Sequence, residues 1–258
     1  MRSRSNPRTL ALEIGIVAAI ALYYIGGNIL FEGERGPAID NARDLIALQA
    51  KIGLNVEPQI QHFFQTYDWS LNVFVFFYAG PHFVLTYGFL IWTYWFRFPA
   101  YAYVRNAFLL YTASAFTFQW VFPVAPPRMV PELGLADLVT DTLPINGETP
   151  WIKALVNDVA ALPSVHTGWA LLVAVCAIRL TSNRWRWLWL AYPAMIMASI
   201  LATANHFVWD IIAALAWLGA TELAHAALSR WWPHTFHVPT PRPLPVPEPM
   251  AEAVEAHA

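Results

Sequence analysis

The chain is poor in charge. Asp, Glu, Lys and Arg make up 12% of its 258 residues, about half the roughly 25% of a soluble domain. That leaves too little polar surface for a water-borne fold, so the composition points to an integral membrane protein. Lysine is the scarcest charge, with two residues against thirteen arginines. The bias fits a GC-rich bacterial genome and carries no mechanism. A lone Cys176 excludes an intrachain disulfide. A formal net charge of −2 gives no basis for a nucleic-acid partner. No internal repeat is apparent.

What the chain has is apolar surface. Hydrophobic residues make up 57% of it, and its mean hydropathy is +0.42. Thirteen Trp and ten Tyr suit aromatic belts at the membrane faces. About 20 apolar residues cross a bilayer core. Six runs qualify: about 9–31, 70–96, 101–123, 163–181, 185–205 and 206–228. The first follows the basic MRSRSNPR and reads as an uncleaved anchor, since no small-x-small site follows it. The last two are nearly continuous. Together they are too long for one crossing, and the polar Asn205-His206 pair marks the break.

Lys and Arg set the orientation. With the N-terminus inside, ten of them fall on the cytoplasmic side and five outside, while eleven of seventeen acids fall in the two long outer loops. The expected fold is therefore all-α: a polytopic helical bundle of six transmembrane helices with both termini cytoplasmic. In the first outer loop, Ile39, Ala42, Leu45, Ile46 and Ile52 recur at helical spacing, and Glu57-Pro58 opens a second segment. Two short amphipathic helices are expected there, either packing on the spans or admitting lipid. The second outer loop, 124–162, is rich in proline; Pro126 and Pro127 fix the chain before Arg128. Trp151 to Asp158 suits a helical turn or two. From Pro233 the chain carries seven prolines before residue 250 and reads as a disordered cytoplasmic tail.

Two strings carry chemistry: Pro163-Ser164-Val165-His166 and His206-Phe207-Val208-Trp209-Asp210. The six-span topology puts both on the outer face, beside the loop that holds Arg128. His206 and Asp210 are four apart, hence on one face of a helix. A carboxylate there can fix the imidazole tautomer and leave the other nitrogen as a nucleophile; a polar pair joining spans has the same pattern. Pro163 suits a helix start, whose free N–H groups attract anions. Ser164 adds a hydroxyl and His166 a proton donor. The plain alternative is a helix cap beside an interfacial histidine. Arg128 can chelate phosphoryl oxygens or simply face headgroups. Asn205 either caps the sixth span or touches phosphate.

Tyr78 and His82 are four apart in the second run. His82 lies about 18 Å along that run. At that depth it reads as a structural hydrogen bond, with support of the site from behind as the alternative. Glu13 and Glu222 lie in the cytoplasmic half, neutral or facing the bundle.

The order Arg128, then PSVH, then NHFVWD resembles the three-part signature of the type 2 phosphatidic acid phosphatase superfamily. The likeness covers roughly 70–225 and is strongest to its inositolphosphotransferase branch, which includes inositol-phosphorylceramide synthases. It implies a metal-free, cofactor-free lipid phosphatase or phosphotransferase. His206 would be the nucleophile that becomes phosphohistidine, Asp210 its orienting partner and His166 the general acid. Arg128 and Ser164 would bind phosphate. The partners implied are a membrane phospholipid or lipid phosphate and an alcohol acceptor, handled at the outer face of a bacterial inner membrane. Two cations of the broad pattern are missing: a lysine where this chain has Val121, and an arginine where it has Ile200 after Ser199. Met129, not proline, follows Arg128. With less positive charge, a phosphodiester is the expected donor, unless Lys153 or Arg35 folds in.

Two histidines and a carboxylate are also a legitimate zinc set. A zinc-dependent membrane hydrolase using His166, His206 and Asp210 is thus an alternative, as is a non-catalytic lipid-binding protein. The organisation expected is one membrane domain over 1–232. Its catalytic core spans about 70–228, with outer interfacial helices at 32–69 and an outer active-site loop at 124–162. The tail is 233–258.

Overall fold

A computed structural model of the chain describes residues 7–31, 35–139, 157–233 and 236. Its helices are α1 (Pro7–Leu30), α2 (Arg35–Lys51), α3 (Glu57–Gln65), α4 (Asp68–Ala79), α5 (Pro81–Phe96), α6 (Phe98–Val121), α7 (Val165–Leu180), α8 (Ala191–Ala202) and α9 (Val208–Trp231). The described fold is all-α. Three stretches are long and apolar enough to cross a membrane, as in an integral membrane protein: Thr9–Leu30, Leu71–Phe96 and Val208–Trp231. The Trp151–Asp158 turn falls almost wholly outside the described residues, as do Lys153 and nearly all of the tail.

Two expected runs are not single helices. The 70–96 run breaks at Gly80, because Pro81 has no N–H to continue the ladder. The 185–205 run opens as a tight 3-10 segment, Arg184–Leu190, before α8 begins. Arg184 and Arg186 lie over the Trp185 and Trp187 rings there. The twelve residues of α8 rise only about 18 Å. The 206–228 run behaves as expected, and the chain does break at Asn205-His206, between α8 and α9.

Helix α7 is the hub and packs against α5, α6, α8 and α9. Its Leu171, Leu172, Val173 and Cys176 share a core with Tyr103, Val104, Ala107, Phe108 and Tyr111 of α6. Helix α1 leans on α6, where Gly27 lets Trp120 lie against the backbone and donate to Asn28 Oδ1 at 3.0 Å. Helix α2 does not present its apolar face to lipid. Ala38, Ala42 and Leu45 are buried against Val124, Ala125, Val130, Val159, Ala161 and Phe207, so this helix packs on the rest of the chain, while Leu48, Ile52 and, on α3, Phe63 stay exposed. Arg43 ties α2 to the second loop through Glu132 at 2.5 Å. The Glu132 backbone N–H and this guanidinium hold its carboxyl below the usual range.

Glu13 and Glu222 face the bundle and are paired. Glu13 of α1 meets Arg105 of α6 at 2.5 Å, and Glu222 of α9 meets Arg179 of α7 at 2.5 Å. Tyr101 and Tyr103 donate to these carboxylates. Each pair joins two helices; Glu13–Arg105 is the buried one, where removing a partner would leave an uncompensated charge, while Arg179 and Glu222 are partly exposed.

Helices α6 and α7 approach closely at Gly168 of α7. A Cβ there would lie 1.9 Å from the Tyr111 ring, whose hydroxyl donates to the Ser164 carbonyl at 3.2 Å. Gly168→Ala should lower the thermal midpoint of the purified protein, corresponding to about 1–3 kcal/mol of overpacking. An unchanged midpoint would mean that Tyr111 moves aside freely.

Candidate active site

The turn between α8 and α9 holds the third motif. Ala204 adopts a left-handed conformation (φ 53°), which reverses the chain within five residues. The Ile200 carbonyl accepts from both Asn205 N–H (3.0 Å) and His206 N–H (3.3 Å). His206 lies before the helix rather than on it: Phe207 is the N-cap of α9 and Asp210 stands at its third position. The pair therefore does not meet by sharing a helix face. Asp210 folds back as a capping carboxylate. Its Oδ2 accepts from Phe207 N–H at 2.8 Å and lies 3.1 Å from His206 Nδ1. Asp210 is fully buried and His206 nearly so. With Nδ1–H held by the carboxylate, Nε2 is the nitrogen left with a lone pair.

The second motif forms the start of α7. Ser164 is its N-cap, and its Oγ accepts from Thr167 N–H at 3.2 Å. The hydroxyl proton is left to donate. Ser164 N–H donates to the Asp210 carbonyl at 3.2 Å, which locks the second motif to the third. Gln119 of α6 donates to the Ala160 and Pro163 carbonyls at 3.0 and 2.9 Å and holds the approach to α7. His166 faces His206 edge to face, with ring centroids 5.8 Å apart.

The first motif is a 3-10 turn, Pro127–Met129. Arg128 N–H donates to the Ala204 carbonyl at 3.1 Å, so the left-handed turn beside His206 also seats Arg128. The guanidinium is mostly buried. Its Nε lies 3.1 Å from Asp137 Oδ2 and its Nη2 4.0 Å from Asp158 Oδ1. Exposed Arg35 lies 3.7 Å from Asp158. The positions of the missing cations supply no charge. Val121 is 79% exposed at the end of α6, and Ile200 is buried with Ala170, Ile196 and Ile211.

Tyr78 and His82 both reach the site. Tyr78 stacks on His166 with centroids 4.6 Å apart, and His82 lies 5.0 Å from it. His82 also makes a structural hydrogen bond, Nδ1 to Tyr192 Oη at 2.8 Å. A depth counted from the start of the run misplaces it, because the site lies beside the α4–α5 break and not at the start of α4. Asn205 does not cap α9. Its amide turns back to Thr203 Oγ1 at 2.8 Å.

The caps of α9 come from residues that sequence reasoning missed. Glu57 Oε1 accepts from Val208 N–H at 2.9 Å, and Gln49 Oε1 accepts from Trp209 N–H at 3.2 Å. Two polar residues at the α2–α3 connection carry no such signal in sequence. The nearest clue was a Glu-Pro helix start on an otherwise solvated pattern.

Among the described residues, no three His, Cys, Asp or Glu side chains are grouped to hold a metal ion. The arrangement has the parts for nucleophilic substitution at phosphorus: an oriented imidazole, a second imidazole across from it, a hydroxyl and a guanidinium. No curated protein and no solved structure matches the chain. Residues 43–224, well over half its length, match the family described as the PAP2 superfamily. The match takes in all three motifs and begins inside α2, before the residue-70 limit of the motif likeness. On that match, with these motifs gathered into one site, the chain belongs to the PAP2 superfamily.

Proposed function

We propose that the protein is a membrane phosphotransferase of the inositolphosphotransferase kind, moving a polar headgroup phosphate from a phosphodiester lipid to an alcohol through phosphohistidine. The observation that carries this is the buried His206–Asp210 pair at 3.1 Å with His166 facing it, in a chain of this superfamily. His206 Nε2 attacks phosphorus, and the P–N bond forms as the P–O bond to the lipid alkoxide breaks. His166 gives its proton to the leaving oxygen. The acceptor hydroxyl then attacks phosphorus, His166 takes that proton, and the P–N bond breaks. With water as acceptor the outcome is hydrolysis. Ser164 and Arg128 bind the phosphoryl oxygens, Asn205 borders them, and Tyr78 and His82 hold His166 from behind.

The same reading includes six spans, both termini cytoplasmic and the site on the outer side of a bacterial inner membrane. The broken α4–α5 unit and the α8 helix with its Trp-rich lead-in each serve as one crossing.

Charge favours the diester. A phosphomonoester carries nearly two negative charges near neutral pH, a diester one. Arg128 already faces Asp137 and Asp158, and neither Val121 nor Ile200 adds a cation.

Two measurements test this. His206→Ala should abolish turnover and the acid-stopped, acid-labile phosphoprotein, while Asp210→Asn should slow turnover by about 100-fold or more. Loss of neither activity nor phosphoprotein in His206→Ala would remove the nucleophile assignment; chelator sensitivity would favour the zinc reading. Separately, wild type should prefer phosphatidylinositol to phosphatidic acid. Asp137→Asn should raise relative kcat/KM for the monoester about fivefold, the scale of ~1 kcal/mol for a unit charge at 4 Å screened by water. A wild-type preference for the monoester would overturn the diester assignment.

A further inference from the structure

The site depends on a helix end that the protein caps from outside the motifs. The first turn of α9 exposes N–H groups with no helical acceptor. Phe207 N–H is taken by Asp210 itself. The next two are taken by Glu57 at 2.9 Å and Gln49 at 3.2 Å. Gln49 Nε2 donates in turn to both Glu57 oxygens, at 2.9 and 3.1 Å. Glu57 is 2% exposed and Gln49 fully buried. Gln49 ends one helix of the outer loop and Glu57 starts the next. A carboxylate in that position also matches the positive end of the α9 dipole.

We propose that Gln49 and Glu57 are positioning residues for phosphoryl transfer, acting through the first turn of α9 to hold Asp210, and through it the His206 ring. This rests on the reading of His206 as nucleophile. It assigns the α2–α3 hairpin a part in the chemistry, although neither residue touches the reacting atoms. It also has a consequence for substrate binding. The positive end of α9 is filled by a protein carboxylate, so the phosphoryl group is left to Arg128 and to the start of α7.

The test uses the full chain in detergent with phosphatidylinositol in mixed micelles, reading kcat, KM, phosphoprotein formation and thermal midpoint together. Glu57→Ala should cut kcat and the rate of phosphoprotein formation about 100-fold, the cost of a small misplacement of a reacting group, with KM nearly unchanged. Glu57→Gln keeps an acceptor for Val208 N–H but turns an NH2 toward the Gln49 amide, and should restore kcat to within about tenfold of wild type. Gln49→Met, at similar volume, removes the Trp209 acceptor and the amide that donates to Glu57, while leaving the Glu57 carboxylate on Val208 N–H. It should lower kcat about tenfold without raising KM, and it serves if Glu57→Ala does not fold. A lowered thermal midpoint with wild-type kcat in Gln49→Met or Glu57→Ala overturns the proposal, as does equal loss in Glu57→Gln and Glu57→Ala. Turnover retained by His206→Ala refutes the reading of the site itself and this proposal with it. Turnover lost in His206→Ala but untouched in the Glu57 and Gln49 variants refutes the positioning role alone.

Discussion

Inside a membrane protein a chain can break only where every freed backbone group finds a partner. The break between α8 and α9 meets that condition residue by residue. Thr203 N–H goes to Ser199, Ala204 to Leu201, and Asn205 and His206 both to Ile200. Phe207 goes to the Asp210 carboxylate, Val208 to Glu57, Trp209 to Gln49, and Asp210 back to Phe207. The carbonyl of Ala204 accepts from Arg128, and that of Asp210 from Ser164. Satisfying this one turn thus joins the three motifs to each other. The bonds that make the reversal affordable in an apolar setting are the bonds that assemble the site.

The opposite half of the bundle solves a different problem. There the helices run straight past one another and carry the Glu13–Arg105 and Glu222–Arg179 pairs. A buried pair adds little net stability, but a mismatched one is costly. The pairs therefore fix the register of α1 on α6 and of α7 on α9. Fixed register at one end keeps the start of α7 opposite the start of α9 at the other. The pairing also bears on orientation. Arg105 and Arg179 answer to bundle-facing acids, not to a membrane face. Setting them aside leaves eight arginines against the five cations expected outside, still the same bias.

Much of this was legible in the sequence because it rests on composition and short spacing. Hydrophobic runs located the helices, Asn205-His206 located the break, and residue types in the motifs located the gathered side chains. What was not legible rests on contacts between distant segments. Gly80-Pro81 breaks the second run, but a glycine-proline pair in an apolar run also fits a kinked continuous helix. The distance of His82 from the outer face misled, since depth along a run says little once the run is broken. His206 and Asp210 were expected to meet by helical spacing, yet they meet by capping; the two geometries share the same four-residue interval. Gln49 does not stand out in the helical spacing of its segment, and Glu57 reads only as a helix start. Their partners are backbone N–H groups some 150 residues away, and backbone amides leave no trace in residue type.

The pairing of the backbone contrasts with the side chains around it. Asp210 Oδ1, Thr167 Oγ1, His82 Nε2 and Trp209 Nε1 are buried with no hydrogen-bond partner among the described residues. All four belong to the site or to residues that touch it. Buried polar atoms are normally paired, and leaving one unpaired costs on the order of 1–3 kcal/mol. A fold that satisfies eight consecutive amides in an awkward turn is not short of ways to pair a side chain. His225 Nδ1 and Nε2, beside Tyr103 in the opposite half of the bundle, are unpaired as well, so an orphaned atom does not by itself mark the site. Thr167 Oγ1 and Trp209 Nε1 are donors, and a phosphoryl group offers only acceptors. The orphaned oxygen of Asp210 shares its carboxylate with the oxygen bound to His206, so on the proposed mechanism its charge would serve an imidazole that turns cationic as it gains phosphorus.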